Sequence, residues 1–199
     1  MKTTILILAA IFLVASCSKN DDTPPAPLDQ LPAITTTGAN TAGCIINGKI
    51  IIPKNGINPT SGQDVNGLDA HRGINFDNIP YGNDHFAVEF SNLKDKGNSY
   101  FIYIHLNNLI NGSGNYALGQ SNGEFWSNAS NNPQILVRET FDGVSGKTFL
   151  SKPNFGTIVI TRFDYQNKIL SGTFTATLFN KDNLEEKILV TEGRFDLKI

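Results

Sequence analysis

Residues 169–179 read ILSGTFTATLF, and the alternation within them decides the fold class of the chain. In an extended chain the apolar side chains lie on one side and the Ser and Thr side chains on the other: Leu170, Phe174, Ala176 and Leu178 against Ser171, Thr173, Thr175 and Thr177. A period of two is typical of an antiparallel strand with one buried face and one exposed face. We therefore predict a half-buried strand here.

The segments on either side repeat this pattern. Residues 156–163 precede the strand across a turn at 164–168, and residues 188–199 follow it across a turn at 180–186. In the last of these segments three side chains are predicted to face inward and three outward: Phe195, Leu197 and Ile199 against Arg194, Asp196 and Lys198. Strands joined by such short turns predict an antiparallel sheet.

Further strands are predicted towards the N-terminus. Asn47-Gly48 lies between two apolar runs, which is a strong signal for a hairpin whose turn residues take positive φ. Residues 85–90 alternate, and residues 100–106 are apolar on both faces, as in a central strand covered on both sides. About nine short strands predict an all-β domain, an antiparallel β-sandwich, with a closed β-barrel as the alternative.

Two long segments interrupt the strands. Residues 54–84 are rich in Gly, Asn, Asp and Pro, and we predict one short strand near 73–76; a loop this long either packs on the sheet edge or is functional. Residues 107–132 are also predicted to be mostly loop, with one short strand at 116–118. Loop aromatic side chains can contact a ligand, or they can cap the core; the candidates are Tyr81, Tyr116, Phe125 and Trp126.

The N-terminus has the pattern of a lipoprotein signal. Lys2 precedes an apolar run at residues 5–15, which is too short to span a membrane and suits a secretory signal. The run ends in Leu13-Val14-Ala15-Ser16-Cys17, which resembles a bacterial lipobox. The resemblance implies a signal peptide at 1–16 and acyl chains on Cys17. The proline-rich stretch Thr23-Pro24-Pro25-Ala26-Pro27 predicts a flexible tether over 17–38, and the strands that follow predict a single domain over 39–199.

Two further resemblances point to the bacterial surface. Residues 18–22, Ser-Lys-Asn-Asp-Asp, resemble the surface-export signal of Bacteroidetes lipoproteins, and the alternative is a solvated charged tether on a domain that faces the periplasm. Residues 40–49, 169–180 and 192–196 resemble an uncharacterised family of Bacteroidetes lipoproteins, a domain of unknown function. That resemblance implies a fold and an outer-membrane location, and it supplies no catalytic residues.

The sequence contains no motif that predicts catalysis. Gly146-Lys147-Thr148 lacks the glycine that a phosphate loop needs at position 141, and Ser145 is not in a Gly-x-Ser-x-Gly sequence. We interpret the acidic and histidine residues of one segment as a polar solvated loop rather than a metal site: Asp64, Asp69, His71, Asp77, Asp84 and His85. We therefore predict no catalytic residue, metal or cofactor.

Other residue types carry simpler interpretations. His105 is predicted to be a packed sheet histidine, and Cys44 a small buried side chain rather than a nucleophile. The net charge of −2 gives no electrostatic basis for binding nucleic acid.

We expect a non-enzymatic module that is anchored by lipid to the outer membrane and faces the cell exterior. Its loops at 54–84 and 107–132 would bind a glycan, a peptide or an envelope protein. The alternatives are a hydrolase that acts on polysaccharide or cell wall, and a purely structural envelope component. Facing carboxylates in a pocket would favour the hydrolase, whereas an aromatic groove would favour binding.

Overall fold

The computed structural model describes residues 29–72, 86–95, 97–107, 109–141 and 144–199. These ranges contain thirteen strands: β1 Thr41–Ile46, β2 Lys49–Ile51, β3 Gly56–Ile57, β4 Asp64–Val65, β5 Leu68–Arg72, β6 Phe86–Ser91, β7 Asn98–Leu106, β8 Gly114–Ala117, β9 Gln134–Phe141, β10 Val144–Leu150, β11 Gly156–Asp164, β12 Ile169–Asn180 and β13 Lys187–Lys198. Single turns of 3₁₀ helix lie at Leu109–Asn111 and Trp126–Asn128. Within the described ranges, no helix is long and apolar enough to cross a membrane.

Eleven of the strands form one antiparallel sheet in the order β2-β1-β13-β12-β10-β9-β7-β6-β5, with β11 and β8 branching from β12. Strand β12 is the branch point because its residues 169–176 pair with β11, whereas Phe179 and Asn180 pair with β10. The sheet curls into a half-barrel, and β3 and β4 form a separate hairpin. The prediction of an all-β antiparallel fold is confirmed.

The main hydrophobic core lies inside the curl. The rings of Phe90 on β6 and Phe174 on β12 are in contact with centroids 6.4 Å apart, so two parts of the curled sheet pack together as the layers of a sandwich do. These layers belong to one continuous sheet, however, because β12 connects them.

Strands β3 and β4 have two residues each, too few for a period of two to be recognised in the sequence.

The predicted hairpin at Asn47-Gly48 is confirmed. Asn47 has a φ of 47° and Gly48 a φ of 86°, and Ile46 pairs with Lys49 across the turn. Both central residues take the left-handed conformation that matches the twist of the flanking strands. Next to the turn, Cys44 is fully buried, as predicted, and burial raises the pKa of its thiol to about 12.

Strand β7 is covered on both faces, as its sequence predicts. Ile102 and Ile104 lie in the main core, whereas Tyr103 belongs to a second, smaller cluster with Leu136 on the opposite face of the sheet. His105, also on that opposite face, is 2% exposed and confirms the prediction of a packed histidine. The second cluster forms because a loop crosses this outer face, and the candidate site lies beside it.

The prediction for residues 54–84 was incomplete. Three strands, β3 to β5, lie within it, and β5 forms an edge of the large sheet by pairing with β6. Leu68 and Ala70 on β5 pack against the main core and alternate with Asp69 and His71, but this alternation is too short to stand out in a segment rich in Gly, Asn, Asp and Pro. The short strand predicted near 73–76 lies outside the described residues.

Two side chains predicted to face solvent are buried, which corrects the sequence interpretation. Asp196 is 1% exposed and Ser171 is fully buried, because residues 29–39, which we call the strap, cover this part of the sheet. Asp196 accepts hydrogen bonds from Thr35 Oγ1 at 2.6 Å, from the backbone N–H groups of Thr37, Gly38 and Ala39 at 2.8–3.1 Å, and from Ser171 Oγ at 2.6 Å. Alternation in a strand predicts its two faces, but it cannot predict that a distant segment covers one of them.

The strap has further fixed contacts with the sheet. Arg162 donates a hydrogen bond to the carbonyl of Thr36 at 2.7 Å, and Arg194 donates one to the carbonyl of Pro32 at 3.3 Å. Asp29, the first residue of the strap, binds Lys54 Nζ with both carboxylate oxygens at 2.7 and 2.8 Å. The C-terminal part of the predicted tether therefore lies against the domain.

Candidate functional site

An open groove with a volume of about 1390 Å³ lies on the outer face of the sheet, away from the main core. Its floor is formed by a row of paired residues, Ser91 on β6, Phe101 on β7 and Arg138 on β9. Two loops form its walls, and they belong to the two long segments that the sequence analysis predicted to bind a ligand. One wall carries the β3–β4 hairpin and the other carries Phe125 and Trp126.

Trp126 is held at the groove by two hydrogen bonds. Its backbone N–H donates to Tyr103 Oη at 2.6 Å, and its indole N–H donates to Glu89 Oε1 at 2.7 Å. The side chain nevertheless remains 48% exposed. Its φ of 51° is an outlier for a bulky residue, and such strained conformations persist only where the surroundings fix them, often at functional sites.

Phe125 joins the groove wall to the second hydrophobic cluster. Its ring contacts Tyr103 edge-to-face at 4.9 Å and Phe101 at 6.0 Å between centroids. The guanidinium of Arg138 lies 5.1 Å from the centre of the same ring, which is the geometry of a cation–π contact. These contacts make the aromatic wall part of the packed structure rather than a free loop.

A small group of titratable side chains lies beside the Trp126 indole: Asp69, His71 and Glu89. His71 Nε2 lies 3.5 Å from Glu89 Oε2 and 3.7 Å from Asp69 Oδ2, and the His71 ring contacts the indole edge-to-face at 5.7 Å. Burial raises the pKa of Glu89, although the Trp126 hydrogen bond and the nearby His71 act in the opposite direction. Burial also raises the pKa of Tyr103 to about 12, so its hydroxyl keeps its proton at physiological pH.

The structure brings together two of the four predicted ligand-contacting aromatics, Phe125 and Trp126. Tyr116 does not line the groove: it lies on β8, is 8% exposed in the main core and donates a hydrogen bond to the Gly112 carbonyl at 2.7 Å. The short strand predicted at 116–118 is present as β8, and Tyr116 on this strand turns its ring inward, so it is not a loop residue. Tyr81 lies outside the described residues.

Phe101, Glu89 and Arg138 are groove residues that the sequence analysis did not select. All three side chains lie on the outer face of the sheet, and core side chains alternate with them along each strand. The alternation in β6 and β7 therefore already predicts that Glu89 and Phe101 lie on this face. The register between β7 and β9 could not be predicted from the sequence, and it is this register that places Phe101 directly beside Arg138.

The predicted polar loop is partly an ordered strand. Asp69 and His71 lie on β5, Asp64 lines the groove, and Asp77, Asp84 and His85 lie outside the described residues. Over the ranges that the structure covers, no set of three His, Cys, Asp or Glu side chains is arranged to hold a metal ion.

No protein-family model, curated protein or solved structure matches the chain. The resemblance to Bacteroidetes lipoproteins therefore stays a prediction.

Replacing Tyr103 by Phe should loosen Trp126. The substitution removes the oxygen that accepts the Trp126 backbone hydrogen bond, which is worth about 1 kcal/mol. Since Trp126 is the chain's one tryptophan, its emission should shift to longer wavelength and become easier to quench with acrylamide.

Tyr116→Phe is the matched control for this experiment. It removes the tyrosine hydrogen bond to Gly112, away from the groove, whereas Tyr103→Phe also removes the hydrogen bond between Tyr103 Oη and His105 Nδ1. Tyr116→Phe should lower stability no more than Tyr103→Phe does and should leave the Trp126 spectrum unchanged. Identical spectra for Tyr103→Phe and the unmodified protein would show that Tyr103 does not hold Trp126.

Proposed function

We propose that the protein is a lipoprotein anchored by acyl chains on Cys17 to the bacterial outer membrane, facing the cell exterior, and that it binds an oligosaccharide in the groove. The exposed and fixed position of Trp126 is the observation that supports ligand binding in the groove. A half-exposed aromatic side chain, fixed by two hydrogen bonds in a strained backbone conformation, is a prepared contact surface. Fixing a side chain before binding lowers the entropy that binding costs.

The chemistry of the groove suits a sugar chain. The apolar faces of pyranose rings can stack on aromatic side chains, and Phe101, Phe125 and Trp126 supply such surfaces along the groove. Hydroxyl groups of the same rings need polar partners, and Asn55, Arg138 and the other polar side chains of the lining supply these. The groove is open and larger than the 300–1,000 Å³ of common small-molecule sites, which favours an extended ligand.

The carboxylates near the groove support binding better than hydrolysis. A glycoside hydrolase needs one carboxyl group to deliver a proton and a second to act on the opposite side of the bond. Glu89 has a raised pKa, as a general acid would, but its oxygens accept the Trp126 hydrogen bond and face His71. Its nearest acidic neighbour across the strands, Asp69, faces the same histidine. Both groups thus serve to position the aromatic wall.

Replacing Trp126 by Ala should weaken oligosaccharide binding at least tenfold. The change removes the most exposed aromatic surface of the groove, and removal of a central aromatic contact costs about 2 kcal/mol or more, which is roughly 30-fold in affinity. The measurement is a glycan-array screen followed by titration calorimetry with the best-binding oligosaccharide, because the variant lacks the fluorescent side chain.

Two variants control this test. Trp126→Phe keeps an aromatic ring and should retain part of the affinity, whereas Phe155→Ala removes an exposed aromatic side chain that contacts Phe179, outside the groove, and should retain all of it. Equal affinities for Trp126→Ala and Phe155→Ala would contradict the assignment of the site. An array on which no glycan binds would contradict the ligand class.

A further inference from the structure

His71 lies between two carboxylates on the outer face of the sheet. Among the residues that the structure describes, Asp69 on the same strand, β5, and Glu89 on the neighbouring strand, β6, are the carboxylates within 4 Å of its imidazole. The third neighbour is the Trp126 ring, which is uncharged. Arg72, the next residue on β5, takes the alternate position and so points to the other face. The imidazole therefore has two negative neighbours and one aromatic neighbour.

Glu89 is the least exposed member of this group. Its side chain is 13% exposed, whereas that of His71 is 39% exposed and that of Asp69 is 56% exposed. Burial is the main cause that raises the pKa of Glu89 and the charge of Asp69 adds to it, whereas Trp126 and His71 lower this pKa. A positive charge on His71 therefore reduces the cost of keeping Glu89 ionised.

Glu89 connects the histidine to the aromatic wall of the groove. One of its carboxylate oxygens accepts the indole N–H of Trp126 at 2.7 Å, and the other lies 3.5 Å from His71. A protonated His71 attracts this carboxylate and holds it in place. When His71 loses its proton, Glu89 and Asp69 remain as like charges on paired positions, and they repel each other. The contact between Glu89 and the indole therefore weakens as the pH rises.

We propose that His71 is a positioning residue of the groove, and that its protonation fixes Trp126 and makes ligand binding tighter in mildly acidic surroundings than in neutral ones. The ligand part rests on the proposed function. An imidazole ordinarily titrates near pH 6.5, so its charge changes between about pH 5.5 and 7.5. A partly exposed ion pair contributes up to about fivefold to an equilibrium, so ligand affinity should fall about threefold over this range.

The test uses the complete lipidated protein in detergent, with Trp126, the chain's one tryptophan, as the probe. The readout is the rate constant for quenching by acrylamide, corrected for the fluorescence lifetime. In the unmodified protein it should rise about twofold between pH 5.5 and 7.5, because the loss of the ion pair frees Trp126. In His71→Gln, which carries no charge there at either pH, it should be equal at both pH values and close to the higher value of the unmodified protein.

Two further variants separate the charge from the packing. The double variant Asp69→Asn, Glu89→Gln keeps the imidazole and an oxygen that can accept the indole N–H, but it leaves no carboxylate for His71 to attract. Its quenching should not depend on pH. Glu192→Gln removes a carboxylate that binds Arg194 outside the groove, and it should keep the full pH response.

The outcomes that would overturn the proposal are distinct. The positioning role of His71 is refuted if quenching in the unmodified protein is equal at the two pH values or falls as the pH rises. It is also refuted if the pH response survives in His71→Gln, because another group would then be responsible. Equal glycan affinities at the two pH values would overturn the ligand part. The fluorescence measurement uses no glycan, so a groove that binds no sugar refutes the proposed function and leaves the positioning role standing.

Discussion

Asp196→Asn is expected to lower the free energy of unfolding by about 3 kcal/mol and the melting temperature by about 8 °C. Oδ2 of Asp196 accepts from Thr35 Oγ1 and from the backbone N–H groups of Thr37 and Ala39, and Oδ1 accepts from Gly38 and Ser171. An amide has one acceptor oxygen and turns an N–H group towards the other set of donors. In either orientation, at least two donors lose their partner.

The effect should depend on pH in a defined direction. Burial alone would raise the pKa of Asp196, but the hydrogen bonds from Ser171, Thr35, Gly38 and Ala39 outweigh it and hold the pKa well below its usual range. A carboxylate with a lowered pKa in the folded state stabilises the fold above its unfolded pKa of about 3.9. The difference between the two proteins should therefore be constant from pH 5 to 7 and shrink as the pH falls below about 4.

Urea unfolding at pH 7, 5 and 3 measures this difference. Asp95→Asn is a suitable control, because Asp95 pairs with Lys49 at the surface and the loss of an exposed ion pair costs less than about 1 kcal/mol. If Asp196→Asn were no more destabilising than Asp95→Asn at pH 7, the strap would not be held as described.

The fold class was predictable because it rests on local patterns. Alternation over residues 169–179 and the Asn47-Gly48 turn each determine a conformation within a few residues, and the structure confirms both. Strand β7 shows how far such reasoning goes, since its two apolar faces correctly predicted a cover on each side. Local patterns do not contain strand order, however, and the branching of the sheet at β12 could not be foreseen from them.

The site was only half predictable, because it depends on contacts between distant segments. Phe125 and Trp126 could be selected as aromatic residues in a loop, and the structure places both at the groove. Glu89 gave no signal of its own: its role follows from a hydrogen bond to a residue 37 positions away. Asp196 likewise looks like an exposed strand residue, and its burial depends on a strap about 160 residues earlier in the chain.

Cys17→Ala is expected to abolish fatty-acid attachment and to remove the protein from the outer-membrane fraction. Each buried methylene of an acyl chain contributes about 0.8 kcal/mol, and two or more chains make attachment stable. The apolar run at residues 5–15 is too short to span the hydrocarbon layer. The measurements are incorporation of an alkyne-labelled palmitate and sucrose-gradient fractionation of cell envelopes.

Cys44→Ala controls for the chemistry of the label, since Cys44 is the other cysteine of the chain and is fully buried. This variant should keep the label and the outer-membrane location. Proteinase K treatment of intact cells then tests orientation, because a domain that faces the exterior is digested while a periplasmic protein survives. Label or outer-membrane location retained by Cys17→Ala would refute the lipid anchor. Full protection from the protease would refute surface exposure while leaving the anchor intact, so the two parts of the proposal fail independently.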